Sequence, residues 1–298
     1  MRFSKRTGWN TEESELARAH RERLMARLPV ADLTASNPTR CGFAYPAGLL
    51  QALDRPEALV YDPQPLGLLP ARQAVCGYYA GHGVQVAPEQ VTLTTSTSEA
   101  YSFLFRLLCD PGDEVVVCQP SYPLFDFLAA LDDVRLTAAP LVYDHGWQIE
   151  PEGLRRAVTE RTRAIVLVHP NNPTGHFTKP WEREELARLC RERDLALIVD
   201  EVFLDYAWAD GAESFAVGLE GAAVFVVSGL SKIAALPQMK AAWIVAAGAA
   251  REAVPRLEVI ADTFLSMNAP VQAALPAWLA VAGEVQRQIR ERVRANLA

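Results

Sequence analysis

Residues 164–175 read Ala164-Ile165-Val166-Leu167-Val168-His169-Pro170-Asn171-Asn172-Pro173-Thr174-Gly175. Five consecutive apolar residues suit a strand buried on both faces. The prolines and the glycine then fix the backbone tightly. Asn172, held between rigid neighbours, can aim its amide at a ligand; a plain turn is the competing reading. His169 reads as structural.

The same pattern repeats outward from this stretch. The spacing predicts strands over Val91–Thr95, Glu114–Cys118, Val134–Ala139, Ala164–Val168, Ala196–Asp200, Ala223–Val227 and Ala242–Ala247. Helical patterns at Ser98–Cys109, Glu152–Glu160 and Trp181–Arg193 separate them. This alternation predicts an α/β fold, a mostly parallel seven-stranded sheet covered by helices on both sides. Upstream, Thr11–Leu28 reads as a helix with mostly solvated faces, and Leu33–Pro65, dense in Pro, Gly, Asn and Asp, as an irregular connector.

Composition narrows the partners. The chain has 298 residues, half of them hydrophobic, and a net charge of −7. That charge gives no electrostatic reason to expect nucleic acid or an anionic membrane. No apolar run approaches a membrane span, and residues 1–14 lack the apolar core of a signal peptide, so the expected location is cytoplasmic. Cys41, Cys76, Cys109, Cys118 and Cys190 follow no zinc spacing, and no metal is expected. The lysines are Lys5, Lys179, Lys232 and Lys240, so chemistry that needs a primary amine has few candidates.

In an open α/β sheet, ligands bind beyond the carboxyl ends of the strands. Four features sit there. Thr95, Ser96 and Thr97 follow the first strand and open a helix, where hydroxyls and free N–H groups make either an anion site or an ordinary N-cap. Asn172 follows a second strand. Asp200 ends a third and is followed by Glu201; a carboxylate there is costly to bury without a partner. Ser228-Gly229-Leu230-Ser231-Lys232 follows a fourth. An amine just past a buried strand is partly desolvated and available as a nucleophile toward a carbonyl, unless it is a simple loop lysine. An anion cradle, an amide, a carboxylate and an amine in this order suit a phosphorylated pyridine aldehyde.

Asn172-Pro173-Thr174-Gly175, Asp200-Glu201 and Gly229-Leu230-Ser231-Lys232, in that order and at these separations, resemble the class I aminotransferases of fold type I. The resemblance spans about Leu33 to Ala247. It implies pyridoxal 5′-phosphate as cofactor, with amino acids and 2-oxo acids as substrates. Lys232 would form the internal aldimine and move the proton, and Asp200 would pair with the ring nitrogen. Asn172 would bond the phenolic oxygen, and Tyr122 would stack on the ring. Thr95, Ser96 and Thr97 would bind the phosphate, and Ser231, beside the lysine, would also bind the cofactor. Tyr61, in Tyr61-Asp62-Pro63 before Gly67, resembles the family tyrosine that reaches the partner subunit's phosphate, which implies a homodimer. Ser36-Asn37-Pro38-Thr39 resembles a loop near the substrate carboxylate.

Four departures stand against the family pattern. Phe203 replaces a tyrosine that donates to the phenolic oxygen. Lys240 replaces an arginine on the phosphate and offers charge without a planar fork, and Gln238 replaces a small residue nearby. Ser96 stands where glycine is common. The chain also stops at Ala298, within what the family continues as a small α+β domain. The implied organisation is an N-terminal arm and part of a small domain at 1–44, a cofactor-binding large domain at 45–282, and the incomplete start of the C-terminal small domain at 283–298. Two other readings remain: β-elimination as in carbon–sulfur lyases, which needs the same Cα carbanion, and a cofactor-binding remnant with impaired turnover.

Overall fold

Val115 and Val117 face one side of a sheet and Val116 and Cys118 the other, and both pairs are buried. The two-residue period of a strand fills two separate cores in this way. The computed structural model describes residues 1–32, 34, 36–208 and 212–298. Leu33, where the connector reading begins, lies outside the described residues.

In chain order the elements are α1 (Glu15–Met25), α2 (Leu69–Gly81), β1 (Val91–Thr94), α3 (Thr97–Leu108), β2 (Glu114–Gln119), α4 (Leu124–Leu131), β3 (Arg135–Tyr143), β4 (Trp147–Ile149), α5 (Pro151–Ala157), β5 (Thr162–Val168), α6 (Pro180–Arg193), β6 (Ala196–Asp200), β7 (Ala223–Gly229), α7 (Leu230–Ile233), β8 (Ala242–Gly248), α8 (Val254–Phe264) and α9 (Ala269–Leu297). The sheet order is β1-β8-β7-β6-β5-β2-β3-β4. Strands β3, β2, β5, β6 and β7 are parallel, and β8 runs antiparallel between β7 and β1. All seven expected strands form. An eighth, β4, adds an antiparallel pair to an extended β3 through Leu141↔Ile149 and Tyr143↔Trp147. Three residues, Trp-Gln-Ile, are too short a run to show the alternation of a strand.

On one face, Ile165, Leu167, Leu197, Val199, Val224 and Val226 pack with α2, α5, α6 and α9. On the other, Val166, Ile198, Phe225, Val227, Ile244 and Ala246 pack with α3, α4 and α8. Helix α1 has no buried residue, as its charge-laced sequence predicts. Helix α9 begins at Asn268, whose side chain accepts from Val271 N at 3.0 Å, and continues for 29 residues. Its apolar stripe of Val271, Ala274, Leu275, Trp278 and Ala282 joins the first core. Trp278 Nε1 also donates to Leu49 O across 2.8 Å.

Gly229 and Gly67 are among the glycines required by close approach. Gly229 ends β7 where a Cβ would lie 2.8 Å from Ala241 O and from Ala242 Cβ, so a side chain would push β7 and β8 apart. Gly67 has φ +96°, and a Cβ there would meet Leu93 Cδ1 at 2.6 Å. Only glycine lets the 61–67 loop lie against β1.

Candidate active site

The topology gathers the expected residues at one edge of the sheet. Strands β1, β2, β5, β6 and β7 point the same way, so their carboxyl ends are level. β8 runs back, so the residues before it start at that edge: Ala242 pairs with both Gly229 and Thr94. The loop starts carrying Thr95, Tyr122, Asn172, Asp200, Lys232 and Lys240 therefore share this edge. β2 and β5 are adjacent, although the chain leaves them in opposite directions, outward to β3 and inward to β6. This is the switch point where a crevice opens.

Asp200 is 7% exposed. Its Oδ2 accepts from Tyr101 Oη on α3 at 3.1 Å, and its Oδ1 from Val202 N at 3.1 Å. Burial pushes its carboxyl up to about 6; the two hydrogen bonds and the positive charge of Lys232 pull it back. The group is therefore mostly ionised at neutral pH, with acceptor capacity left for a cationic partner. Tyr101 was not singled out in the sequence. It lies four residues after Thr97, one helical turn along the face of α3 that meets the sheet, and that spacing was the available signal.

Glu201 points to the opposite face and is 1% exposed. Its carboxylate accepts from Ser214 Oγ at 2.7 Å and Phe215 N at 2.6 Å, and burial pushes it up to about 7. So both carboxylates of the Asp-Glu pair have partners, one toward the crevice and one in the core. His169 is buried between Phe177 and Phe215 and accepts from Thr178 N at 3.1 Å; burial lowers it to about 3, so it is a neutral core histidine, as expected.

Lys232 lies in the one-turn helix α7, half-buried beside Ser231. Its Nζ is 5.7 Å from the centroid of the Phe203 ring. Phe203 thus lines the amine's surroundings and brings no hydroxyl. Asn172 is half-buried in its loop. The neighbouring Asn171 holds that loop: its Nδ2 donates to Thr174 Oγ1 at 2.8 Å and to Pro120 O at 3.0 Å, tying it to the loop that carries Tyr122. The sequence reading passed over Asn171, since nothing in the local pattern separates two adjacent asparagines.

At the start of α3, Ser96 is the N-cap and its Oγ accepts from Glu99 N at 3.2 Å. Glu99 Oε2 accepts three donors: Thr95 N at 2.7 Å, Thr95 Oγ1 at 3.1 Å and Ser266 Oγ at 2.8 Å. Both donors of Thr95 are thus engaged, and the cap reading holds for Ser96. The first-turn N–H groups of Thr97 and Ser98 have no acceptor within the helix. Lys240 is exposed, in the left-handed region at φ +52°.

Tyr61 is 83% exposed and lines a cavity of about 540 Å³ with Pro65, Leu265, Met267 and Asn268; Ser266, bonded to Glu99, also lines it. This cavity lies at the 57–68 loop, while Asp200 and Lys232 lie at the strand ends and do not line it.

Residues 46–297 match the family described as aminotransferase class I and II. The chain belongs to that family. Glutamate-pyruvate aminotransferase AlaA of Escherichia coli strain K12 is 28% identical over 258 residues, 84% of this chain and 63% of that protein. An alanine aminotransferase from Pyrococcus furiosus superposes with a TM-score of 0.83 at 26% identity, covering 98% of this chain and 77% of that one. A single mutant of Thermus thermophilus aspartate aminotransferase superposes with a TM-score of 0.84 at 26% identity, covering 99% and 78%. This aminotransferase-family chain thus spans less than two thirds of the length of AlaA.

The aminotransferase family depends on pyridoxal phosphate, and the residues at this crevice fit that group. A buried carboxylate, ionised at neutral pH, suits a protonated ring nitrogen. Ser121 Oγ, in the loop after β2, is buried with no hydrogen-bond partner among the described residues. Such an orphan is stabilised when a polar ligand comes within hydrogen-bond distance. Among the described residues no helix is long and apolar enough to cross a membrane.

Proposed function

We propose that this protein is a pyridoxal-phosphate-dependent aminotransferase that moves an amino group between an amino acid and a 2-oxo acid, with Lys232 as the attachment residue. The observation that carries this is the pairing across adjacent strands β6 and β7. A buried carboxylate with acceptor capacity to spare, Asp200, feels the charge of the amine that follows β7. Pyridoxal phosphate, when bound, supplies an aldehyde carbon and an electron-accepting ring. Asp200 would keep the ring nitrogen protonated. Lys232 Nζ would hold the aldehyde carbon and, once displaced by substrate, take the proton from the substrate Cα. Asn172 would donate to the ring oxygen, and Tyr122 would cover one ring face. The Thr97 and Ser98 N–H groups, with Lys240, would hold the phosphate.

Tyr61 is too exposed to act on its own crevice and would complete the phosphate site of a second copy, making the enzyme a homodimer. Sedimentation as a monomer at micromolar concentration would remove that part of the reading.

The function is tested by the absorption spectrum of the protein with added pyridoxal phosphate, before and after borohydride, followed by peptide mapping. A visible band bleached by borohydride with the label on Lys232 is expected. No band, or label on Lys5, Lys179 or Lys240, would overturn it.

A further inference from the structure

Helix α7 is a single turn, Leu230–Ile233, yet three separate elements hydrogen-bond to the carbonyls at its C-terminal end. Tyr206 Oη, from the turn Leu204–Tyr206, donates to Lys232 O across 2.8 Å. Gln286 Nε2, from α9, donates to Ile233 O across 2.9 Å. Tyr45 Oη, from the N-terminal connector, donates to Ala235 O across 2.7 Å. Lys232 O also accepts from Ala235 N at 3.4 Å, so Tyr206 adds a second donor there, while Ile233 O and Ala235 O, at and just past the helix end, receive these side-chain donors. Ile233 and Ala235 are buried, so water is a poor substitute. One turn also has too few internal bonds to hold itself in place.

The donors are themselves braced. Next to Tyr206, the Asp205 carboxylate accepts from Tyr78 Oη at 3.0 Å and faces His82 Nε2 at 3.2 Å. The Asp205 carbonyl accepts from Arg290 Nε of α9 at 3.0 Å. Gln286 is 8% exposed, a buried amide whose position is explained by the carbonyl it meets. Three parts of the chain, the 204–206 turn, α9 and the connector, therefore converge on the backbone that presents one lysine, and Tyr78 of α2 braces the turn.

We propose that Tyr206, Gln286 and Tyr45 are positioning residues for Lys232: by clamping the carbonyl end of α7 they keep Nζ beside Phe203 and Asp200. The proposal deepens the reading of Lys232 as the attachment residue and rests on it. A one-turn helix released from the clamp lets the amine swing into solvent, where it is more accessible and less well aimed.

Two readouts of opposite sign test this without measuring turnover. The first is trace acetylation with acetic anhydride in the absence of cofactor, read as the ratio of label on Lys232 to label on Lys240. The second is the rate of reductive attachment of pyridoxal phosphate at Lys232. Tyr206→Phe removes one hydroxyl and should raise the acetylation ratio about fivefold while lowering the attachment rate by about the same factor, the scale of one lost hydrogen bond. Gln286→Met, which keeps the length and burial of the side chain, should act in the same direction if Tyr206→Phe fails to fold. Ratios and rates equal to the unsubstituted protein in both variants would overturn the clamp. Attachment at another lysine in the unsubstituted protein would overturn the proposed function instead, while the acetylation ratio would still report on the clamp by itself.

Discussion

Tyr101 Oη donates to Asp200 Oδ2 across 3.1 Å, so α3 and β6 meet at one buried carboxylate. The bond favours the ionised form against burial, which pushes the carboxyl up to about 6. Tyr101→Phe removes that support and leaves Val202 N as the donor. A hydrogen bond to a charged group is worth about 1.5 kcal/mol, so the acid limb of pyridoxal-phosphate binding should move up by roughly one pH unit. Binding measured by absorbance across the neutral range checks this; an unmoved limb would place the ring nitrogen away from Asp200.

Glu201 gives a prediction about stability. Its carboxyl sits at about 7 in the folded chain against an ordinary value of 4.5. The folded state therefore binds this proton more tightly than the unfolded state. Stability from this group is greatest below the unfolded value and is lost as pH rises through about 7. Glu201→Gln keeps an acceptor for Phe215 N and removes the titration. Relative to the unsubstituted protein, the variant should gain on the order of 2 kcal/mol between about pH 5 and about pH 8. His169, lowered to about 3, has the opposite dependence, losing stability as pH falls below its ordinary value, but it is common to both proteins and cancels. Urea unfolding at the two pH values measures the difference, and parallel stability curves would refute it.

Phe203 lies 5.7 Å from Lys232 Nζ and offers no donor to a ring oxygen. Phe203→Tyr should add one. A new donor stabilises the deprotonated oxygen and lowers the pH at which the cofactor's visible absorbance titrates. A titration with no downward shift would mean that residue 203 does not face that oxygen.

Glu99 gathers Thr95 N, Thr95 Oγ1 and Ser266 Oγ on one oxygen at the start of α3. Glu99→Ala should loosen this end of the helix. The affinity for pyridoxal phosphate should fall about tenfold, the scale of one to two hydrogen bonds, while that for pyridoxal, which lacks the phosphate, stays near its original value. If both fall together, the carboxylate supports the fold and has no particular bearing on the phosphate.

The sequence by itself determined the strands, their burial on both faces and the residues at their ends. Continuous apolar runs such as Ala196–Asp200 have little alternative to a central parallel strand, and the chemistry that follows them was legible from its order. β4 escaped because Trp147–Ile149 is too short to show a period. What each polar residue pairs with was decided by tertiary structure alone. Asp200 and Glu201 are adjacent in sequence, yet the strand turns one toward Tyr101 and the crevice and the other toward Ser214 and the core. Tyr206 and Gln286 lie 26 and 53 residues from the carbonyls that they hold. Local sequence sets backbone preference and burial through short-range sterics and hydrophobicity. A hydrogen bond between distant elements depends on how helices and strands pack, and no local pattern encodes that distance.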